Sequence, residues 1–467
     1  MKIRFLGAAC NVTGSQYVVE ANNRRVMIDC GYYQERSLLE RNWQDFKVPP
    51  SQLDAVLLTH AHLDHCGLLP KLGKDGLRAK IFCTAATGDI AKIVMNDSAK
   101  LQEEDVAFKK KRHKKEGRKG KHPVVPLFTI GDAEHVGSMM SYVNFGTPVQ
   151  IAEGFEATFF ESGHILGAAS ILLKVQVGSE TRTILFSGDI GRSDVPILRN
   201  PTLFTEGADY VVMESTYGDR EHPAGETIHD QLAEVVNEAH RKGGNVIIPS
   251  FAVERSQELM YYLGELLEQK RIPPTMVLVD SPMAVRVTDV FRRHPELFDE
   301  ATLERLSRGK HPCDFPSLKL IRTVEQSKAI NSIRGTVIII AGSGMCTGGR
   351  IKHHLKANME GSENTILFVG YQANGTLGRI IVDGAKTVRL FGEQRAVRAQ
   401  VAQIGGFSGH AGKSELLHWI GAMQTKPQRI FVTHGEAEVA AGFARSLQAE
   451  TAVPSLAPEY DSEYTLY

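Results

Sequence analysis

One seven-residue segment of the chain carries an unusual density of potential metal ligands. It spans residues 59–65 and reads Thr-His-Ala-His-Leu-Asp-His, with three imidazoles and one carboxylate within six positions. The apolar run at 53–58 predicts a buried strand that ends here, and residues 66–69 predict the beginning of a helix. A strand that turns directly into a helix can point all four side chains into one crevice. Because histidine and aspartate suit Zn²⁺, with Mn²⁺ and Fe²⁺ as competitors, the segment predicts a metal site at a strand end.

Two further strand ends carry residues of the same kind. His164 follows the apolar run at 159–160, and Asp189 follows another at 184–186. His164 can complete one site with His60 and His62. The two oxygens of Asp189 can bridge this ion to a second one, which Asp64 and His65 would hold. Two ions about 3.5–4 Å apart suit in-line attack on a phosphodiester, and they also suit hydrolysis of esters or thioesters. The residues therefore predict a two-metal hydrolase and leave its substrate open.

Strand and helix patterns predict two kinds of domain. The chain has 467 residues, which suggests two to four domains of about 150 residues each. Short β-rich runs dominate up to residue 214, whereas strand and helix alternate from 227 to 369, which is typical of a doubly wound parallel sheet. Strand-like runs return from about residue 380, among them 387–391 and 399–404. We therefore predict an α/β protein in which residues 1–214 and 377–467 form one domain and residues 215–376 are inserted into it.

The order of the motifs resembles that of a known family. The His-Ala-His-Leu-Asp-His run, with Asp29 before it and His164 and Asp189 after it, is similar to the metallo-β-lactamase superfamily. Three more motifs, Met-Glu-Ser-Thr-Tyr at 213–217, Phe-Ser-Gly-His at 407–410 and Val-Thr-His-Gly-Glu at 432–436, are similar to motifs A, B and C of its β-CASP branch of nucleases. The resemblance spans almost the whole chain. It implies a metallo-β-lactamase αββα sandwich with an inserted doubly wound α/β (β-CASP) domain and with the metals at one sheet edge.

The resemblance also implies roles for individual residues. Two zinc ions, for which Mn²⁺ is a substitute, are assigned to His60, His62 and His164 on one side and to Asp64, His65 and His434 on the other, with Asp189 as the bridge. Asp64 is also counted among the catalytic residues, and Asp29 is expected to support the ligands from behind. Glu214 is expected to hydrogen-bond His410, which then protonates the leaving oxygen. A carboxylate beside an imidazole favours its charged form, which agrees with this role.

The inserted domain and one basic run favour a phosphate-rich substrate. Strands of this domain are followed by small polar loops, and ligands of such sheets bind at the carboxyl ends of the strands. Glycines let backbone N–H groups approach a phosphate, and arginine can bind it through two hydrogen bonds. The run at 109–121 has nine Lys and Arg in thirteen residues, and it predicts contact with a phosphate backbone, with a solvated helix tail as the alternative. The candidate substrate-binding residues are Arg255, Ser281, Ser343, Gly344, Arg350, Lys110, Lys111 and Arg112.

The resemblance further implies an enzyme that acts on RNA. RNA-directed members of the branch carry histidine at the third motif, as this chain does at His434, and they leave a 5′-phosphate and a 3′-hydroxyl. The chain looks similar to the endonuclease subunit of the cleavage and polyadenylation machinery and to its bacterial and archaeal relatives. We therefore expect a zinc-dependent ribonuclease of single-stranded RNA in RNA processing or decay, endonucleolytic with additional 5′-to-3′ exonuclease activity. Two alternatives stay open: a metallo-hydrolase of a small ester or thioester, and a non-catalytic RNA-binding subunit.

Composition predicts a cytoplasmic protein without membrane association. Hydrophobic residues make up 42% of the chain and charged residues 23%, which is ordinary for a globular protein, and 54 basic residues balance 54 acidic ones. The six cysteines form no Cys-x-x-Cys pair, which favours a reducing compartment. Residues 1–10 contain no apolar leader, and no apolar run approaches the roughly 18 residues of a membrane span. Base stacking would come from scattered aromatic residues such as Phe251 or Tyr217, although a core or hinge role is favoured for each. A homodimer is left open.

Overall fold

Two facing β-sheets carry the histidine-rich segment, and a third sheet forms a separate unit. The computed structural model describes residues 1–117, 124–222 and 227–467. Along the chain the strands are β1 (Lys2–Gly7), β2 (Gln16–Ala21), β3 (Arg24–Ile28), β4 (Ala55–Leu57), β5 (Ile81–Thr84), β6 (Met140–Val143), β7 (Val149–Ala152), β8 (Phe155–Glu161), β9 (Ala169–Val177), β10 (Glu180–Phe186), β11 (Tyr210–Glu214), β12 (Val246–Pro249), β13 (Met276–Val279), β14 (Leu318–Leu320), β15 (Val337–Ala341), β16 (Thr365–Val369), β17 (Thr387–Leu390), β18 (Glu393–Ala396), β19 (Gln400–Ile404), β20 (Arg429–Thr433), β21 (Ser455–Leu456) and β22 (Ser462–Thr465).

Helices separate many of these strands. They are α1 (Leu63–Cys66), α2 (Leu69–Lys74), α3 (Ala85–Glu116), α4 (Ile130–Ser138), α5 (Ile228–Lys242), α6 (Arg255–Glu268), α7 (Pro282–Arg293), α8 (Glu300–Ser307), α9 (Val324–Ala329), α10 (Ile351–Asn358), α11 (Leu377–Val382), α12 (Lys413–Gly421) and α13 (Ala437–Thr451). In the described part of the chain, no helix combines the length and the apolar character that a bilayer crossing requires.

The first unit is a sandwich of two seven-stranded sheets. It comprises Met1–Ser193, Asn200–Glu221 and His410–Tyr467. The strand orders are β22-β1-β2-β3-β4-β5-β6 and β21-β20-β11-β10-β9-β8-β7. Alternate side chains of both sheets fill the space between them, among them the fully buried Phe5, Phe159 and Phe431. Because α12 and α13 pack on the outside of one sheet and α3 on the outside of the other, the predicted αββα layering is confirmed.

The second unit is built on a six-stranded parallel sheet. It comprises Asp194–Arg199 and His222–Gly409, and its strand order is β14-β13-β15-β12-β16-β19. Its central strands read as continuous apolar runs, and consecutive residues such as Ile247 and Ile248 are both fully buried. This pattern is typical of a parallel sheet that helices cover on both faces. The loops after β12, β13, β15 and β16 therefore meet at one edge, the carboxyl ends of the strands.

The second unit extends further along the chain than the predicted insertion. The sequence pattern assigned residues 399–404 to the returning first domain, but β19 pairs in parallel with β16 and completes the sheet of the second unit. The unit therefore reaches Gly409 instead of residue 376. A strand-like run in the sequence shows that a segment can form a β-strand. Which sheet edge it pairs with depends on the folded structure.

The basic run lies at the end of the longest helix of the described chain. Residues 109–116 form the last turns of α3, and Lys110, Lys111 and Arg112 are exposed there. Residues 118–121, which complete the predicted run, lie outside the described residues. These three basic side chains are exposed to solvent, and a contact with a polyanion requires such exposure.

Candidate metal centre

The ends of several strands bring the predicted donors to one edge of the first unit. The histidine-rich segment lies between β4 and α1, with His60 and His62 before the helix and Asp64 and His65 inside it. The remaining donors follow β8, β10 and β20, and they are His164, Asp189 and His434. Residues that are far apart in sequence thus converge because their strands end at the same edge.

The first cluster contains three imidazoles and one carboxylate oxygen. Nδ1 of His62 lies 3.2 Å from Nε2 of His60 and 3.1 Å from Nε2 of His164. Oδ2 of Asp189 lies 3.3 Å from Nε2 of His60 and 3.4 Å from Nε2 of His164. The four donor atoms lie within 4.8 Å of one another, which is the spacing of ligands around one ion.

The second cluster uses the other oxygen of the same carboxylate. Oδ1 of Asp189 lies 3.3 Å from Nε2 of His65 and 3.6 Å from Nε2 of His434. The two imidazole nitrogens are 3.1 Å apart, and Oδ2 of Asp64 lies 3.5 Å from Nε2 of His434. Asp189 therefore stands between two groups of donors, as a bridging ligand would.

The chemistry of these donors fits a divalent cation. Asp189 is 2% exposed, and its Oδ1 accepts no hydrogen bond from any described residue. A buried carboxylate oxygen without a donor costs free energy unless a cation satisfies it. Imidazole nitrogens at hydrogen-bond distance from one another need a shared cation or proton for the same reason. The structure thus supports a metal site at this edge.

Burial and neighbouring charge set the protonation states of the cluster. Burial lowers the pKa of His60 to about 3 and that of His62 to about 4, and it holds the pKa of His164 well below its usual range. Neutral imidazole is the form that binds a metal. Burial raises the pKa of Asp189, but the imidazole of His434 and its neighbours outweigh burial and hold this pKa well below the usual range. The first cluster therefore combines neutral imidazoles with an ionised carboxylate.

Residues behind the donors hold the imidazoles in place. Oδ2 of Asp29 lies 2.8 Å from Nδ1 of His65, and Asp29 also accepts hydrogen bonds of 2.8 Å from the backbone N–H and the hydroxyl of Thr59. On the opposite side, the Thr216 hydroxyl lies 2.9 Å from Nδ1 of His434. His65 and His434 thus use Nδ1 for these contacts and present Nε2 to the centre. The family resemblance implied this position for Asp29, but Thr59 and Thr216 were not singled out from the sequence.

A glutamate and a histidine form a pair at the side of the first cluster. Nδ1 of His410 lies 3.1 Å from both carboxylate oxygens of Glu214, and Oε1 of Glu214 also accepts a 2.7 Å hydrogen bond from the Ile190 N–H. Burial lowers the pKa of His410, but the charge of Glu214 and its hydrogen bond outweigh burial and raise this pKa to about 9. The ring of Tyr217 lies edge-on, with its centroid 6.2 Å from that of His410. Nδ1 of His410 also lies 4.0 Å from Oδ2 of Asp189.

The candidate substrate-binding residues of the second unit lie near the carboxyl edge of its sheet. Ser281 caps α7, and the hydroxyl of Ser343 accepts a 3.2 Å hydrogen bond from the Gly348 N–H. Arg350 donates a 2.6 Å hydrogen bond to the buried Asp280 and is 19% exposed. Arg255 pairs with Glu258 and is only 12% exposed, so its charge is compensated inside the unit. The charge of Arg350 is likewise compensated, by Asp280, and the two guanidinium groups differ little in exposure.

The αββα sandwich and the histidine–aspartate cluster together define the class of this protein as a metal-dependent hydrolase. Three domain-family profiles match the chain: the Metallo-beta-lactamase superfamily at residues 11–77, the Beta-Casp domain at 256–381 and the Zn-dependent metallo-hydrolase RNA specificity domain at 395–458.

Individual relatives agree with these profiles. Ribonuclease TTHA0252 of Thermus thermophilus is 38% identical over 439 residues, which cover 94% of each chain. Transcription termination factor FttA of Methanosarcina mazei is 30% identical and matches 96% of this chain and 69% of its own length. An RNase J-like protein of Methanocaldococcus jannaschii is 29% identical, covering 98% of this chain and 97% of that protein. A solved structure of a protein of unknown function from Enterococcus faecalis V583 shares the fold, with a TM-score of 0.54, 13% identity and coverage of 100% and 99%. The chain belongs to the β-CASP branch of the metallo-β-lactamase superfamily.

Proposed function

We propose that this protein is a zinc-dependent ribonuclease that hydrolyses phosphodiester bonds of single-stranded RNA in RNA processing or decay. The observation that carries the proposal is the contact of each Asp189 oxygen with a different group of buried imidazoles. Two divalent ions held there would stabilise the attacking and leaving oxygens of a phosphodiester and lower the pKa of a water. The similarity to Ribonuclease TTHA0252 and the match to the RNA specificity domain support RNA as the substrate.

The proposed ligands fall into the two clusters described above. His60, His62 and His164 would hold one ion, and Asp64, His65 and His434 would hold the other, with Asp189 between them. Zinc is the proposed metal, with Mn²⁺ as a substitute. Elemental analysis of protein purified with ample zinc should find about two ions per chain, and fewer than about one would favour the non-catalytic RNA-binding alternative.

His410 is the proposed proton donor. Its Nδ1 lies 3.1 Å from both carboxylate oxygens of Glu214, and Nε2 is the proposed donor of a proton to the departing 3′-oxygen. Glu214 holds the ring and favours its protonated form. The products are then a 3′-hydroxyl on one fragment and a 5′-phosphate on the other.

Asp189→Ala provides the first test. We expect cleavage of RNA to fall by more than about 10²-fold, because the variant loses the carboxylate shared by both clusters, whereas single-stranded RNA still binds. Asp209→Ala is a matched control, since Asp209 directly precedes β11 at the other end of the strand from Glu214. Retained cleavage by an Asp189→Ala protein with verified metal content would contradict the proposal.

The mode of cleavage is proposed to be endonucleolytic with additional 5′-to-3′ exonuclease activity. Incubation of 5′-labelled and internally labelled RNA with the zinc-loaded protein separates the two modes. Internal cutting yields labelled fragments of intermediate length, and attack from the 5′ end yields mononucleotides. Faster turnover of a small ester or thioester than of RNA would favour the alternative hydrolase. Homodimer formation stays a prediction that light scattering would test.

A further inference from the structure

Two half-exposed aromatic rings lie at the carboxyl edge of the second unit's sheet. Phe251 follows β12 and is 45% exposed, and Tyr371 follows β16 and is 50% exposed. The two strands are hydrogen-bonded neighbours in the sheet, so their loops leave it side by side. The sequence favoured a core or hinge role for Phe251; of these two roles, the core role does not fit a residue with nearly half of its surface in solvent.

The backbone of Phe251 is held by buried hydroxyl groups. Its carbonyl oxygen accepts hydrogen bonds of 3.1 Å from the Ser250 hydroxyl and 2.7 Å from the Ser256 hydroxyl. Both serines are 1% exposed, and their hydroxyl oxygens are 3.1 Å apart. The ring thus projects from a backbone position that its surroundings fix before any ligand binds.

A glycine lies directly against the ring of Phe251. A Cβ added to Gly344 would meet Cδ2 of the ring at 2.8 Å and Cγ at 3.1 Å. Any larger residue at this position would therefore push the ring away. Hydrogen bonds also connect Gly344 to the loop that carries Tyr371. The side-chain amide of Gln372 donates 3.2 Å hydrogen bonds to the carbonyl oxygens of Gly344 and Tyr371.

We propose that Phe251, backed by Gly344 and next to Tyr371, is a stacking platform for an unpaired base of the RNA substrate. The inference rests on the proposed ribonuclease function and adds the part of the substrate that this unit contacts, the base. Ligands of parallel sheets bind at this edge, and stacking on an exposed ring holds single-stranded nucleic acid without requiring a particular sequence.

Binding of a short single-stranded RNA to variants tests the platform. Affinity is measured by fluorescence anisotropy in an Asp189→Ala background that does not cleave. Phe251→Ala should weaken binding roughly 5- to 150-fold, Phe251→Leu should lose most of the same affinity, and Phe251→Trp should retain it, because only an aromatic ring offers a stacking face. Met276→Ala is the matched control, since Met276 is 37% exposed at the beginning of β13, on the opposite edge of the sheet; it should leave affinity unchanged.

Two further measurements keep the test sharp if one variant folds poorly. The first uses a series of RNAs, each lacking one base. Removal of the base at one position should weaken binding to the protein that retains Phe251, and Phe251→Ala should cause no further loss of affinity for that RNA. Gly344→Ala should weaken binding when Phe251 is present and have no effect in Phe251→Ala, because it acts through the ring.

The results separate failure of this inference from failure of the proposed function. A Phe251→Ala affinity within about twofold of the parent, or an equal loss in Phe251→Trp, would overturn the platform while RNA cleavage by the unmodified protein persists. Absence of RNA binding and cleavage in the unmodified, zinc-loaded protein would overturn both.

Discussion

At the scale of single residues, the orientation of the imidazoles depends on groups that do not reach the centre. Asp29 accepts hydrogen bonds from the Thr59 N–H and hydroxyl and contacts Nδ1 of His65. Burial lowers the pKa of His65, but the carboxylates of Asp189 and Asp29 outweigh burial and raise it well above its usual value. The raised pKa favours a proton on the His65 nitrogen that faces the cluster, and a metal cation bound there would replace this proton. Asp29 thereby fixes which nitrogen of His65 faces the metal.

Asp29→Asn should lower zinc affinity roughly 10- to 100-fold, since an amide cannot accept all the hydrogen bonds that the carboxylate accepts. Competition with a chromophoric chelator measures the affinity. Asp54→Asn is the control, because Asp54 binds Arg24 and the Arg25 N–H and touches none of the candidate ligands. An unchanged zinc affinity in Asp29→Asn would show that His65 does not need this support.

His410→Ala should reduce RNA cleavage by roughly 10²- to 10⁴-fold if His410 protonates the leaving group. In an RNA with sulfur in place of the leaving 3′-oxygen, the leaving group departs as a thiolate and needs no proton. The variant should therefore lose much less activity on this RNA than on the natural one. An equal loss on both substrates would assign His410 a role other than proton donation.

At the scale of elements, one buried carboxylate joins a strand to two helices of the second unit. Asp280 directly follows β13 and is fully buried. It accepts hydrogen bonds of 2.5 Å from Ser327 on α9 and 2.6 Å from Arg350 at the beginning of α10, and lies 2.6 Å from Nε2 of His354 on α10. Burial raises the pKa of Asp280, but these hydrogen bonds outweigh it and the pKa lies below its usual value.

Asp280→Ala should lower the free energy of unfolding by about 3–5 kcal/mol, since it leaves buried donors without their acceptor. Urea denaturation at neutral pH measures this loss. Asp383→Ala, which removes an exposed partner of Arg379, should cost much less. Because the folded pKa of Asp280 is depressed, its contribution is present above the ordinary pKa and is lost as the pH falls through the folded value. The difference between the two proteins should therefore shrink in acid, and a constant difference would contradict this account.

At the scale of the whole molecule, charge is balanced overall but not locally. The chain has 54 basic and 54 acidic residues, yet the last turns of α3 place Lys110, Lys111 and Arg112 together in solvent. A polyanion gains from such a cluster through the release of its counterions, which makes binding depend on salt.

Glutamine at all three positions should flatten the slope of log affinity against log salt by about 2, on the basis of roughly 0.7 per phosphate contact for single strands. Filter binding or anisotropy at several salt concentrations measures the slope. Glutamine at the exposed Arg241, Lys270 and Arg308 is the charge-matched control. Equal slopes in the parent and the α3 variant would show that the helix does not contact RNA.

Local patterns in the sequence predicted the strands and six of the candidate donors, whereas the αββα layering and the role of His434 came from the resemblance to a known family. Period-two and apolar runs identify strands because the alternation of side chains between the two faces of a strand follows from the local backbone geometry. Histidine and aspartate at strand ends were predicted to meet, and the folded chain brings all seven donors together, although their role as metal ligands stays a prediction.

Only the tertiary structure decided the partners of residues that are far apart in the chain. Thr216 supports His434 across 218 positions, β19 joins the sheet of the second unit, and Phe251 is left half-exposed against Gly344. The sequence of a strand does not determine which sheet edge it pairs with, and the presence of an aromatic residue does not determine whether another segment covers it. These outcomes depend on the packing of separate segments, whereas the type of each donor and the period of each strand are properties of the amino-acid sequence itself.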